Sequence, residues 1–212
     1  MEFKLIKFVY IIPLTVFLKR IIDLTASSVL IVLCMPFWIT IPISIKLTSP
    51  GPVFFRQERF GKYGKKFILY KFRSMVVGAE KMQEGLTYLN EMDGPAFKIK
   101  NDPRQTVSGR FLRKTSLDEL PQLFNVFRGD ISLVGPRPAI EKEVIHYRPI
   151  ERKRLSVPQG ITCIWQVSGR NNIKFDEWMK LDLMYIYNFS AAQDIKILLK
   201  TIPAVLLKKG AY

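Results

Sequence analysis

The chain has 212 residues, enough for one domain with its own core, and sets 33 Lys and Arg against 18 Asp and Glu, a formal charge of +15. That balance points to an anionic partner: nucleic acid, anionic lipid headgroups or a phosphorylated small molecule. Two distant cysteines, Cys34 and Cys163, and a single histidine, His146, leave no disulfide framework to read and argue against a zinc site. A metal, if used, would be a hard cation on oxygen ligands, foremost magnesium held partly by substrate phosphates.

Residues 1–18 are apolar but carry Lys4 and Lys7 and are interrupted by Pro13. The run from Phe8 to Leu18 is too short to span a bilayer. No small-residue cleavage site follows it, so a removable signal peptide is not expected and the segment reads as interfacial. From Ile21 to Leu47 only Asp23 and Lys46 are charged. A straight helix of that length would run about 40 Å against a hydrocarbon core of roughly 30 Å. Pro36 and Pro42 require a bend or break, and Lys19, Arg20, Lys46, Arg56, Arg59 and Lys62 place positive charge on both flanks. A kinked helix that dips into one leaflet and returns satisfies both features; a full span and a buried core helix are the alternatives.

After the turn Thr48-Ser49-Pro50-Gly51-Pro52, residues 53–57 and 66–72 read as two strands of a hairpin around Gly61–Gly64. Lys71 and Arg73 put two cations at the end of the second strand, or simply form a solvated basic edge. Residues 79–92 suggest a short amphipathic helix, and Asn101-Asp102-Pro103-Arg104 a turn. Thr115-Ser116-Leu117-Asp118-Glu119-Leu120-Pro121 then sets two adjacent carboxylates in a basic chain. Ser116 and Glu119 have capping-box spacing, but Pro121 would clash inside a helix started at Ser116. A helix beginning at or just before Pro121 fits better and leaves both acids at its mouth, with Leu120, Leu123, Phe124 and Phe127 as its apolar face.

Further on, Arg137 stands between Pro136 and Pro138, a pre-organised guanidinium suited to a phosphate or merely an exposed turn arginine. Residues 141–155 read as a charged helix, 157–170 as a loop-and-strand element, and 176–187 as a helix. Residues 194–207 repeat apolar positions as an amphipathic helix with Lys196 and Lys200 elsewhere, suited to an anionic membrane surface or to core packing. The basic residues are dispersed and no recognition motif appears, so nucleic acid is not an expected partner. The two carboxylates can act as a nucleophile, a magnesium ligand or a general base; adjacent residues at a helix start diverge by roughly 100°, which favours separate targets.

These residues also resemble a family. Lys19-Arg20-Ile21-Ile22-Asp23, residues 70–75 (Tyr70 to Met75), residues 113–125 (Arg113 to Asn125), Gly135-Pro136-Arg137-Pro138 and residues 158–162 through Gly169-Arg170 are similar, in order and spacing, to the bacterial sugar transferases, the monotopic polyprenyl-phosphate phosphoglycosyl transferases. The resemblance runs from about Lys19 to the C-terminus. It implies a re-entrant membrane helix and a ping-pong reaction in which Asp118 attacks the β-phosphate of a UDP-sugar, releases UMP and passes the sugar phosphate to undecaprenyl phosphate. It also implies that Glu119 binds Mg²⁺ and that Lys71, Arg73, Arg113, Arg137 and Arg170 line the phosphate site. Where relatives often carry Ser-Pro at the membrane-helix break, this chain has Met35-Pro36; Ser27, Ser28 or Thr40 would then have to satisfy the freed carbonyl.

The expected architecture is α+β and mainly helical. It has a short N-terminal apolar segment (1–18), a re-entrant kinked membrane helix (19–47), and a catalytic domain (48–212) built from a β-hairpin and surface-lying amphipathic helices. By the resemblance, that domain lies on the cytoplasmic face of the bacterial inner membrane, among membrane lipids; a homodimer stays open. A membrane-bound phosphatase or pyrophosphatase, and a non-catalytic basic peripheral protein, are the rival readings.

Overall fold

The computed structural model describes residues 2–169 and 173–207, with side chains from residue 14 onward. Helix α1 (Glu2–Leu33) and helix α2 (Met35–Thr48) form one apolar arm, bent by 61° between the parts Leu14–Leu33 and Met35–Thr48. The expected boundary at residue 18 falls inside α1, and α2 runs unbroken through Pro42. The bend has one cause: Pro36 enters the first turn of α2 and offers no N–H to the last carbonyls of α1. The group that answers is neither serine nor threonine. Ser27 and Ser28 both bond Leu24 O and Thr40 bonds Pro36 O, none of them a carbonyl of the last turn of α1, whereas the Trp38 indole N–H reaches back to Ile31 O at 3.0 Å. A tryptophan on the far side of the kink thus replaces the serine expected there.

Among the described residues no single helix is long and apolar enough to cross a membrane; the bent pair passes only when taken together. Most of the apolar surface of the arm lies outside the cores. In α2 only Ile41 and Ile45 are buried, and Val32, Leu33, Met35, Ile39 and Leu47 are exposed. What ties α1 down is polar. Lys19 Nζ donates to Val134 O at 2.6 Å and pairs with Asp194 at 2.7 Å. Asp23 accepts from Ser132 Oγ and Leu133 N, both at 2.9 Å. Arg20 donates to the carbonyls of Val126 and Phe127, each at 2.7 Å.

Strands β1 (Phe54–Phe60) and β2 (Lys66–Phe72) form the expected antiparallel hairpin, registered from Phe54 opposite Phe72 to Phe60 opposite Lys66. The helix expected over 79–92 is absent: the segment is a series of turns ending in a 3₁₀ stretch at Glu84–Leu89. With Gly78 just before it, Gly85 inside it and most of its side chains in solvent, no apolar stripe can pull it onto the domain. The turn expected at 101–104 forms, closed by a bidentate Arg104–Asp102 fork.

Helix α3 (Val107–Thr115) is capped by Thr106, whose hydroxyl accepts from Gly109 N. A Cβ on Gly109 would stand 1.9 Å from Ser74 O, so only glycine lets α3 lie against that backbone. Helix α4 (Gln122–Arg128) starts one residue later than expected, with Pro121 as its N-cap, and ends at Gly129 with φ 87°. Its inner face differs from the expected one: Leu123, Asn125 and Val126 are buried, while Phe124 and Phe127 are exposed.

Strands β3 (Ser132–Val134) and β4 (Gly160–Thr162) make a short parallel pair; β4 lies in the loop-and-strand element expected over 157–170, whereas β3 and the pairing were not expected. The charged helix expected over 141–155 is two short pieces, α5 (Glu141–Val144) and a 3₁₀ turn at Glu151–Ser156, separated by Pro149. Helices α6 (Ile164–Ser168), α7 (Phe175–Tyr187) and α8 (Ala191–Leu206) complete the chain. The main core lies between the hairpin, α4, β3, α7 and α8; an aromatic cluster of Tyr147, Trp165, Phe175 and Trp178 forms a second, and α2 meets Phe72 and Leu112 in a third. The mainly helical α+β expectation, with one hairpin, describes this architecture.

Candidate active site

Ser116 ends α3 in the left-handed region (φ 59°), and its side chain caps nothing, which removes the capping-box reading. The chain then makes one 3₁₀ turn, Leu117–Glu119, before Pro121 starts α4. Asp118 and Glu119 therefore sit in a turn wedged between two helices. Asp118 is 7% exposed and Glu119 half-buried.

Lys71, on β2 opposite Phe55, donates to Glu119 Oε1 at 2.6 Å. Burial pushes the Asp118 carboxyl up to about 6; Lys71 and Arg113 pull it down, and Glu119 adds to the rise. The registry between β2 and this turn comes from Asn125 on α4. Its amide donates to Ile68 O at 2.8 Å and accepts from Tyr70 N at 3.1 Å, one residue before Lys71. An asparagine within an apolar helical run is the signal that could have found it.

Arg137 is held from behind by two buried arginines. Arg59 Nη1 donates to Pro138 O at 3.0 Å, and Arg154 Nη2 to Arg137 O at 3.0 Å. Arg154 is itself fixed by Asp182 at 2.7 Å and by the Tyr147 hydroxyl. The loop also depends on two glycines: a Cβ on Gly160 would come within 2.1 Å of Gly135 N, and one on Gly135 within 2.2 Å of Pro158 O. The prolines limit the backbone, the close glycine crossing sets its path, and the arginines hold its carbonyls, so the Arg137 guanidinium is presented over the Trp178 ring at 5.7 Å.

These groups meet in one cleft of about 940 Å³, lined by Lys71, Arg73, Arg113, Asp118, Glu119 and Arg137. Arg170 lies outside the described residues. Arg73 lines this cleft but is buried, and its guanidinium donates to Ser49 O at 2.9 Å and to Pro50 O, clamping the turn that leaves α2. Arg59, Lys98 and Trp165 line the same cleft and were not anticipated. Lys98 lies in a segment without helix or strand pattern, where no periodicity marks a buried side chain.

Among the described residues no three His, Cys, Asp or Glu side chains converge as a metal cage. Glu119 and Asp118 nevertheless offer hard carboxylate oxygens in a cleft sized for a substrate. That fits magnesium, which takes one or two carboxylates and completes its shell with waters and substrate phosphates.

A buried carboxylate among converging cations, on a domain joined to a bent apolar arm, is the architecture of a site for phosphorylated substrates. A family profile described as bacterial sugar transferase matches residues 14–208, and the chain belongs to that family. It is 47% identical over 194 residues to the galactosyl transferase CpsE of Streptococcus agalactiae, covering 91% of this chain and 43% of that protein. It is 43% identical over 201 residues to the undecaprenyl-phosphate galactose phosphotransferase of Salmonella typhimurium, covering 92% and 42%. The exopolysaccharide production protein ExoY of Rhizobium meliloti is 40% identical over 198 residues, covering 92% and 88%. The chain thus spans less than half the length of the first two and most of the third.

Proposed function

We propose that this chain transfers a sugar 1-phosphate from a UDP-sugar to undecaprenyl phosphate at the cytoplasmic face of a bacterial inner membrane, as a membrane step of exopolysaccharide or related glycoconjugate synthesis. The observation that carries the reading is the buried Asp118 beside Glu119 and Lys71, in a cationic cleft on a domain that carries an exposed apolar arm. The name of the Salmonella relative supplies the substrate class.

In the first half-reaction an Asp118 carboxylate oxygen forms a bond to the β-phosphorus. The bond from that phosphorus to the bridging oxygen breaks, and UMP leaves with the electron pair. In the second, an oxygen of undecaprenyl phosphate attacks the same phosphorus; the aspartyl O–P bond breaks and the carboxylate is restored. Lys71, Arg113 and Arg137 stabilise the negative charge gathered on the phosphoryl oxygens. Magnesium held by Glu119 would neutralise part of the diphosphate charge.

A lipid acceptor presents its phosphate at headgroup level, which accounts for the apolar arm. The exposed apolar side chains of α8 (Ile195, Leu199, Ile202, Leu206), with Lys196 and Lys200 also exposed, suit it to rest on the same surface.

The test is to incubate the full chain with UDP-sugars, with and without polyprenyl phosphate, and to identify the nucleotide released. Sugar-phosphate transfer requires UMP, at turnover levels only with lipid phosphate. Release of UDP would mean ordinary glycosyl transfer, turnover to UMP without lipid would mean a pyrophosphatase, and no nucleotide would leave a binding protein.

A further inference from the structure

Among the described residues four donors of the cleft have no acceptor: Arg73 Nε, beside the turn that leaves α2, and three others. Lys98 Nζ, Trp165 Nε1 and Arg59 Nε are each buried without a hydrogen-bond partner, and all three residues line the cleft. The Lys98 ammonium lies over the Trp165 ring at 4.6 Å and the Trp178 ring at 5.8 Å. A lysine ordinarily keeps its head in water, and contact with an indole face returns only about 1–2 kcal/mol of that lost hydration. The acid nearby is Glu143, already engaged with Arg137 at 3.7 Å and with Ile140 N at 3.3 Å. Burial, and then Arg137, push the Lys98 amine down to about 7. A donor-rich, acceptor-poor corner of this kind is built for an anion.

Its position says which anion. Arg59 feels both Glu119 and Arg137, so this corner flanks the acidic pair in one continuous cleft. The phosphorus under attack must lie at Asp118, among Lys71 and Arg113. Arg137 lines the same cleft and would be open to a second phosphate, linked to the first through one bridging oxygen.

We infer that Lys98, with Arg137 and the Trp165 indole, binds the phosphate that stays with the nucleoside when the donor diphosphate is split. This rests on the reaction proposed above. As the bridging P–O bond breaks, its electron pair remains on the nucleoside phosphate, and the Lys98 and Arg137 N–H groups donate to the oxygens that gain charge.

The test measures binding of UMP, galactose 1-phosphate and uridine to the detergent-solubilised full chain, following tryptophan fluorescence and calorimetry, for wild type, Lys98→Met and Lys98→Gln. Expected is at least a tenfold loss of UMP affinity in both variants, with less than a twofold change for the sugar phosphate and for uridine. If wild type releases UMP from a UDP-sugar but the variants bind UMP unchanged, or lose only the sugar phosphate, the inference is overturned while the proposed function stands. If wild type neither binds nor releases UMP, the proposed function fails first. Should both variants lose the near-ultraviolet tryptophan dichroism of the folded protein, wild type alone decides. Binding of UMP at pH 8, compared in buffers of different ionisation enthalpy, is expected to draw up a proton onto Lys98, with Arg137, Glu143 and Cys163 as the charged and titratable groups facing it. Uptake of the same size in folded Lys98→Met would assign the proton to another group and overturn the assignment.

Discussion

Asp118 works against the stability of its own fold. Its carboxyl titrates at about 6 in the folded protein against an ordinary 3.8, so the folded state holds the proton more tightly than the unfolded chain. Below about pH 3.8 the group is neutral in both states and its charge burial costs nothing. As pH rises from there to about 6 the unfolded chain gains by ionising first, and the native state loses up to about 3 kcal/mol. Asp118→Asn removes that charge, so at pH 7.5 the variant is expected to melt at or above wild type, with the gap closing toward pH 4. A variant that melts well below wild type at neutral pH would contradict the buried-charge account. The same substitution should lower turnover at least about a thousandfold, as loss of a nucleophile does, while the protein stays folded and attached to membranes. Sugar phosphate trapped on Asp118→Asn would exclude this residue as nucleophile. Because attack needs the ionised form, the rate of UMP release should fall about tenfold per pH unit below about 6, read from initial rates between pH 5 and 8. Glu119 and Lys71, ion-paired at 2.6 Å, are expected to share the loss when either is neutralised.

Two junctions between elements carry the site. At the first, β3 and β4 cross glycine on glycine. In Gly160→Ala the new methyl would meet Gly135 N at 2.1 Å and Val134 C at 2.5 Å, backbone atoms that cannot swing away. The expected cost is on the order of 3 kcal/mol or more, seen as a lower melting temperature, and the KM for UDP-sugar should rise because the Arg137 loop shifts with the strand. An unchanged KM in folded Gly160→Ala would separate the crossing from the site. At the second, Lys19 on α1 and Asp194 on α8 are both buried and paired at 2.7 Å. Lys19→Met takes the cation from buried Asp194, which keeps the Tyr185 hydroxyl at 2.7 Å, and should cost about 3–5 kcal/mol. Adding Asp194→Leu should recover part of it, measured by chemical denaturation of the single and double variants.

At the scale of the whole molecule, the proposed membrane surface is tested through the bent arm. If the arm dips and returns, cysteines placed at Val16 and Pro50, with Cys34 and Cys163 replaced by alanine, should react with an impermeant thiol reagent from the same side of sealed vesicles. Reaction from opposite sides would establish a span. The 61° bend makes the dip the expected result, because the two helices diverge from a straight axis where Pro36 interrupts it.

Much of this was legible in residues. Proline in the apolar run required a bend, alternating apolar strands around Gly61–Gly64 required a hairpin, and Pro121 moved the helix start past the two acids; each is a local backbone constraint, and each holds. The family resemblance pointed to Asp118, Glu119, Lys71, Arg113 and Arg137, which the fold gathers into one cleft. What the chain alone could not decide is where long side chains end. Arg73, Arg59 and Arg154 carry the same charge as Arg137, yet they hold carbonyls of Ser49 and Pro50, of Pro138 and of Arg137 itself. Trp38, not a serine, closes the kink, and among the described residues Lys98 lies unpaired on Trp165. Local propensity acts over a few residues, whereas an arginine's partner lies tens of positions away along the chain. Only tertiary packing decides which cations are left for a substrate.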